Sequence, residues 1–101
     1  MIGIKNENRK ERFEMLKLFL DNGQDVNAID KYGKTILMCF VAYKNTEAVR
    51  ILLGHKDIDL NIQLTEEEDF GGVSIYKGEA ALDIARREKM NEIVAMLEKV
   101  R

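Results

Sequence analysis

Cysteine and histidine are scarce in this chain of 101 residues, which contains one of each and no proline. The single cysteine, Cys39, cannot form an intrachain disulfide, and this agrees with a reducing compartment. Because His55 is the only histidine, the chain has too few ligands for a Cys/His metal site and no basis for a nucleophilic triad. We therefore expect a protein that is not an enzyme, with no catalytic residue, no metal site and no cofactor.

Long apolar runs and an excess of basic charge are also missing. No segment approaches the roughly eighteen apolar residues of a membrane-spanning helix, and residues 1–7 become polar too soon for a secretory signal. The net charge of −2 gives no overall attraction to nucleic acids or anionic membranes. The sequence thus predicts one cytoplasmic domain over residues 1–101 that binds neither nucleic acid nor membrane.

One amphipathic segment is present three times, and it sets the organisation of the chain. Its copies occupy residues 14–20, 47–53 and 92–98, at offsets of 33 and 45 residues. In each copy, two pairs of apolar residues separated by one residue form a broad apolar stripe on a helix. Residues 33–42 and 78–87 supply a shorter helix before the second and third copies. A period near 33 is typical of units built from a turn and two short helices.

Short motifs stay in phase with these units. Gly33, Thr35 and Leu37 fall where ankyrin repeats have G-x-T-P-L-H, and residues 59–61 (Asp-Leu-Asn) match the D-V-N ending of that family. The sequence resembles the ankyrin repeat family over about residues 9–101. The chain departs from two preferences of that family. Ile36 and Ala81 stand where the family prefers proline, and Met38 and Asp83 stand where it prefers histidine.

The resemblance implies an all-α ankyrin-repeat solenoid with two full repeats and an N-terminal partial repeat. The first repeat is interpreted as partial because residues 1–8 contain only Ile2 and Ile4 as large apolar groups. End repeats need a polar outer surface. Such polar residues occur at the amino end, in residues 6–12, and in the last repeat, at Asp83, Arg86, Arg87 and Glu98. They predict a complete short array.

An insertion lengthens the connection between the last two repeats. Residues 60–64 and 73–76 alternate apolar and polar side chains, and Gly71 and Gly72 permit a turn between them. We predict one extended β-hairpin at about residues 62–77. An alternative is a helical turn capped by Thr65, with Glu68 reaching back to it.

Four carboxylates follow one another in the insertion, at residues 66–69. They are either a solvated loop tip or a surface that attracts a basic partner, with Phe70 as its apolar anchor. A calcium loop starting at Asp57 is disfavoured because its sixth position, which requires glycine, is Ile62.

The resemblance implies a non-catalytic module that binds another protein through its hairpin tips and concave face. The partner could carry a basic surface, and the chain is expected to be a monomer or a weak homo-oligomer. Two alternatives are an immunity or inhibitor protein that blocks a basic toxin or nuclease through the acidic insertion, and a structural fragment of a larger scaffold. The predicted partner-binding residues are Lys31, Tyr32, Lys34, Tyr43, Glu66, Glu67, Glu68, Asp69, Phe70, Tyr76, Lys77, Glu79 and Arg87.

Overall fold

The computed structural model describes residues 25–70 and 72–100, together with Glu14, Leu18, Asp21 and Gly23. Glu14, Leu18 and Asp21 are helical. The rest of the first amphipathic copy and the predicted polar end at residues 6–12 lie outside the described residues.

From residue 25 onward, the described residues contain two helix pairs. The first pair is α1, Ile36–Ala42, and α2, Thr46–Leu53; the second is α3, Ala81–Arg87, and α4, Asn91–Val100. The partners within each pair pack together, and across the pairs α1 packs against α3 and α2 against α4. The two units therefore lie side by side, as the repeated amphipathic segment predicts.

The helix starts follow from the residues that precede them. The Thr35 hydroxyl accepts a hydrogen bond from Met38 N at 3.2 Å, and the Asn45 amide oxygen accepts one from Ala48 N at 3.1 Å. Each such cap contributes about 1 kcal/mol by pairing an otherwise unsatisfied backbone N–H. At α3 the cap position holds Ala80, which has no acceptor, and its N–H instead donates to the Asp83 carboxylate at 2.9 Å.

A continuous apolar core joins the two units. The most deeply buried large side chains are Leu37, Met38, Leu52, Leu64, Ile75, Ile84, Ile93, Leu97, Val41 and Val49. At the edge of the units, the Asn27 side chain donates to Asp57 O at 2.7 Å and accepts from Asp59 N at 2.8 Å. The Asn27 side chain therefore links the turn before the first helix pair to the turn after that pair.

The insertion contains two short antiparallel strands, β1 (Glu68–Phe70) and β2 (Val73–Ile75), with Asp69 opposite Ser74. The prediction of a strand at residues 60–64 is wrong. Leu64 is 1% exposed, and its N–H donates to Glu79 O at 2.8 Å while its carbonyl accepts from Gly78 N at 2.7 Å. Its alternating pattern therefore marks one buried side chain at the base of the insertion. The alternative helical turn is also absent, because Glu68 lies in β1.

The outer face of the second pair carries an ion pair between Arg86 and Glu98, whose side chains are 50% and 46% exposed. This pair lies where the first unit has apolar residues, in line with the predicted polar end. None of the helices in residues 25–70 and 72–100 has the length and hydropathy needed to cross a membrane.

Candidate functional site

The loop before α1 is shaped by one carboxylate. Asp30 accepts hydrogen bonds from Tyr32 N and Lys34 N, each at 2.9 Å, and Gly33 N donates to Asp30 O at 2.9 Å. Burial raises the pKa of Asp30, but these N–H groups and the nearby Lys34 ammonium outweigh it and hold the pKa below its ordinary value. The Asp30 carboxylate is therefore a structural part of the loop.

Lys34 occupies the centre of this loop and is only 8% exposed. Its Nζ lies 2.8 Å from both carboxylate oxygens of Glu68 and 3.5 Å from Asp30 Oδ2. Burial lowers the pKa of Lys34, but the hydrogen bond to Glu68 and the surrounding negative charge raise it above its ordinary value overall. The pairing keeps the ammonium charged inside the protein, where an unpaired charge would be strongly destabilising.

Aromatic rings complete the surroundings of Lys34. Its Nζ lies 3.6 Å from the centroid of the Phe70 ring and 5.8 Å from that of Tyr32. The Phe70 ring in turn lies 4.9 Å from the Tyr43 ring at an interplanar angle of 54°. Cation–π and tilted aromatic contacts of this kind each contribute about 0.5–1.5 kcal/mol. We call the group formed by Asp30, Tyr32, Lys34, Tyr43, Glu68 and Phe70 the middle-tip cluster.

The backbone of the insertion approaches the same loop closely. Thr65 N and Glu66 N both donate to Tyr32 O, at 2.9 and 3.2 Å. Gly33 has a φ of +80°, and a Cβ there would lie 2.8 Å from Thr65 N. Glycine is required here for two separate reasons, since it permits the left-handed backbone and leaves room for the insertion.

A second cluster forms at the loop before α3. The Arg87 guanidinium pairs with both carboxylate oxygens of Glu79 at 2.8 Å, donates to Ser74 O at 2.6 Å and pairs with Glu88 at 2.6 Å. The guanidinium lies 4.8 Å from the centroid of the Tyr76 ring. We call these five residues the last-tip cluster.

The last-tip cluster differs from the middle-tip cluster in its charges and in its burial. Burial raises the pKa of Glu79, but Arg87 and Tyr76 N–H lower it below its ordinary value overall. The side chain of Arg87 is 32% exposed, and that of Glu79 is 15% exposed. This cluster is therefore held by local contacts closer to solvent.

The structure divides the predicted partner-binding residues into two groups. Eight of them have their side chains in the two clusters and contact other parts of the chain, although Tyr76 and Arg87 are also exposed, and these are Tyr32, Lys34, Tyr43, Glu68, Phe70, Tyr76, Glu79 and Arg87. Tyr32 is half-buried between Lys31 and Lys34. The exposed residues at the loops and on the insertion are Lys31, Glu66, Glu67, Asp69, Tyr76 and Lys77.

Four residues that form these clusters or pack against them are absent from the predicted partner-binding set, namely Asp30, Thr65, Ser74 and Glu88. Asp30 organises the middle loop, Thr65 packs against Gly33, and the Ser74 hydroxyl donates to Asp69 Oδ1 at 2.6 Å. Only Asp30 has a recognisable signal, because an acidic residue three positions before a glycine is suited to closing a turn.

The reactive side chains considered from the sequence have other roles. Cys39 is partly exposed, and burial raises the pKa of its thiol to about 11, so it is largely protonated at neutral pH. His55 Nδ1 accepts from Asp57 N at 3.1 Å, and Asp59 accepts from Asn61 N at 2.9 Å. Within residues 25–70 and 72–100, no group of three or more His, Cys, Asp or Glu is arranged to hold a metal.

Comparison with known families agrees with this architecture. The family model described as ankyrin repeats, in three copies, matches residues 1–99. Its extent includes the first helix pair, the insertion and the second pair as far as Lys99. Ankyrin repeats are generally protein–protein interaction modules and are typically non-catalytic. The chain belongs to the ankyrin repeat family.

Proposed function

We propose that this protein is a cytosolic adaptor that binds a partner protein through the exposed residues of its two tips and insertion. The observation that carries the proposal is the division of the tip residues into an internal and an exposed group. Lys34, Glu68 and Phe70 hold the insertion against the loop. Lys31, Glu66 and the other exposed residues are thereby presented on a fixed backbone.

A fixed backbone favours binding because less conformational freedom is lost when the partner docks. The carbonyl of Tyr32 accepts hydrogen bonds from Thr65 N and Glu66 N, which fixes the start of the insertion relative to the middle loop. The pairing of β1 with β2 fixes its far side. Lys34, Glu68 and Phe70 thus support the proposed binding surface from inside the protein, and the exposed residues contact the partner.

Charge favours a partner with a basic surface. Glu66, Glu67 and Asp69 are exposed, whereas Glu68 is neutralised by Lys34. Three carboxylates remain at the solvent face of the insertion, with Asp69 oriented by the Ser74 hydroxyl. Such a group accelerates association with a positive surface, and the acceleration weakens as salt concentration rises.

Tyr76 is the aromatic residue best placed to contact a partner. It is 44% exposed, and its ring is supported by the Arg87 guanidinium at 4.8 Å. A supported, half-exposed tyrosine buries much area on binding with little loss of conformational freedom.

The charge contribution is tested by neutralising the insertion. The variant Glu66→Gln/Glu67→Gln is compared with Glu47→Gln/Glu92→Gln, which removes the same charge from the exposed starts of α2 and α4. Affinity capture with quantitative mass spectrometry identifies a protein retained by the wild type. That protein, once purified, should bind the insertion variant about 10-fold more weakly and the control variant normally. Equal binding by both variants contradicts the proposal.

The aromatic contribution has its own matched pair. Tyr76→Ala removes an exposed ring at the last tip, and Ile51→Ala removes an exposed apolar side chain on α2, which is 36% exposed. Binding of the same purified partner should fall by about 10-fold or more with Tyr76→Ala, because tyrosine anchors often contribute at least 1.4 kcal/mol. Loss of affinity only with Ile51→Ala would place the binding surface on the helices.

A second candidate function is inhibition of a basic toxin or nuclease, and the exposed carboxylates of the insertion favour it. In this case Glu66, Glu67 and Asp69 occlude a positively charged active site. Titration of a cognate nuclease with the protein should abolish cleavage at a ratio of one to one, and Glu66→Gln/Glu67→Gln should restore it. Unaffected cleavage under saturating binding rules this function out.

A further inference from the structure

Residues 65–70, which we call the strap, cross the middle loop in the way that a bound peptide would. The strap offers two backbone N–H groups to Tyr32 O, one carboxylate to Lys34 and one aromatic ring to Lys34 and Tyr43. The groups that receive it belong to the loop and to the end of α1, residues 32–43. They are separated from the strap by more than twenty positions in the sequence.

The receiving surface has two distinct elements of recognition. Lys34, a cation that is 8% exposed, faces a carboxylate and binds both of its oxygens. The face of Tyr43 and the same ammonium hold an aromatic ring. Glu68 and Phe70 reach both elements because residues two apart in a strand point to the same side. The surface therefore recognises an acidic residue that is followed, two positions later, by an aromatic residue.

Release of the strap disturbs the core little, because Phe70 is the one strap residue that packs against it, although β1 must then separate from β2 or carry it along. None of its six residues is buried. The buried side chains of the insertion lie outside the strap, since Leu64 is 1% exposed, Val73 7% and Ile75 0%. Release of the strap returns Lys34 and Glu68 to water, and their rehydration offsets part of the lost ion-pair energy.

We propose that the middle loop is a receptor site for peptides of the pattern acidic–any–aromatic, and that the strap is the chain's own competing ligand for it. A partner segment with this pattern displaces the strap and pairs its carboxylate with Lys34. This activity is separate from the adaptor function above, which involves a basic partner and the exposed residues. Either can fail without the other.

Competition sets the expected behaviour of the intact protein. A ligand tethered by a short segment acts at an effective concentration in the millimolar range. The strap therefore closes the site to free peptides of ordinary weak affinity. Removal of the two recognising side chains of the strap should open it.

The test uses the full chain with Glu68→Ala/Phe70→Ala as the opened variant. The probe is a fluorescein-labelled peptide with the sequence of residues 65–72, Thr-Glu-Glu-Glu-Asp-Phe-Gly-Gly, and fluorescence anisotropy is measured up to millimolar protein. We expect the opened variant to bind at least 10-fold more tightly than the wild type. A control peptide with glutamine and alanine in place of the residues corresponding to Glu68 and Phe70 should not bind.

The site itself is tested by adding Lys34→Met to the opened variant, which should abolish binding. Amide shifts in NMR spectra of the opened variant should be confined to residues 32–34 and the neighbourhood of Tyr43. Circular dichroism and thermal melting establish that each variant is folded, and Glu68→Gln/Phe70→Leu replaces the opened variant if it is not. Absence of binding to a folded opened variant, or binding that survives Lys34→Met, overturns the proposal.

Discussion

The two loop tips use the same backbone frame with opposite charges. Lys34 in the middle tip and Glu79 in the last tip occupy equivalent positions, each one residue before the cap of a short helix. Lys34 pairs with Glu68, 34 positions away, whereas Glu79 pairs with Arg87, 8 positions away. One ion pair therefore fixes tertiary structure and the other supports a local turn. The position tolerates either sign provided that a partner is supplied.

The largest difference between the tips should appear when the central cation is removed. Lys34→Met leaves Glu68, whose side chain is 17% exposed, without its partner, and should lower the free energy of unfolding by about 2–3 kcal/mol. Lys34→Met/Glu68→Leu removes both charges and should recover most of that loss. Urea denaturation of the two variants measures the difference. If the double variant is no more stable than the single one, the ion pair does not account for the effect.

Alanine at the equivalent glycines, Gly33 and Gly78, isolates the contact between the insertion and the middle loop. Both have positive φ, at +80° and +90°, so alanine is strained at each by about 1 kcal/mol. A Cβ at Gly33 meets Thr65 N at 2.8 Å, whereas one at Gly78 meets nothing within 4 Å. Gly33→Ala should therefore cost about 1–2 kcal/mol more than Gly78→Ala. Equal melting temperatures would mean that the insertion adjusts at little cost.

Loss of the last-tip arginine should have a smaller effect. Arg87→Ala removes a pair with Glu79 in which the arginine side chain is 32% exposed, and water can replace much of the interaction. We expect a loss of about 1 kcal/mol in the free energy of unfolding, measured as above, with the middle-tip cluster unchanged in NMR spectra. A loss as large as that of Lys34→Met would show that the two tips contribute equally.

The smallest expected effects are in the pH dependence, where the tips respond at opposite ends of the scale. Because the pKa of Lys34 is raised above 10.5, its contribution is complete below that pH and is lost as the pH rises through the folded-state value. Because the pKa of Glu79 is lowered below 4.5, its contribution is present above that pH and is lost as the pH falls through the folded-state value. Lys34→Met should flatten the alkaline decline in stability, and Glu79→Gln the acid decline. Identical profiles for wild type and variants would contradict this assignment.

The helices were predictable from sequence, whereas the contacts of the insertion were not. The amphipathic segment at residues 47–53 predicts α2 because its spacing specifies one apolar helix face, and local capping by Asn45 fixes its start. The position of Glu68 depends on its ion pair with Lys34, and the residues next to Glu68 in the sequence give no sign of that pair. A capping box with Thr65 and a strand are both compatible with the local sequence. Only the tertiary approach of the insertion to Gly33 decides between them.

The turns between paired helices have a consequence for protein engineering. Lys44 and Lys89 have φ values of +60° and +58°, a conformation that is unfavourable for a lysine backbone and well tolerated by asparagine. Both lysine side chains are exposed, so replacing either lysine by asparagine does not disturb packing. Matched replacement at the two turns thus offers a route to a more thermostable scaffold in which the surface of the tips is left unaltered.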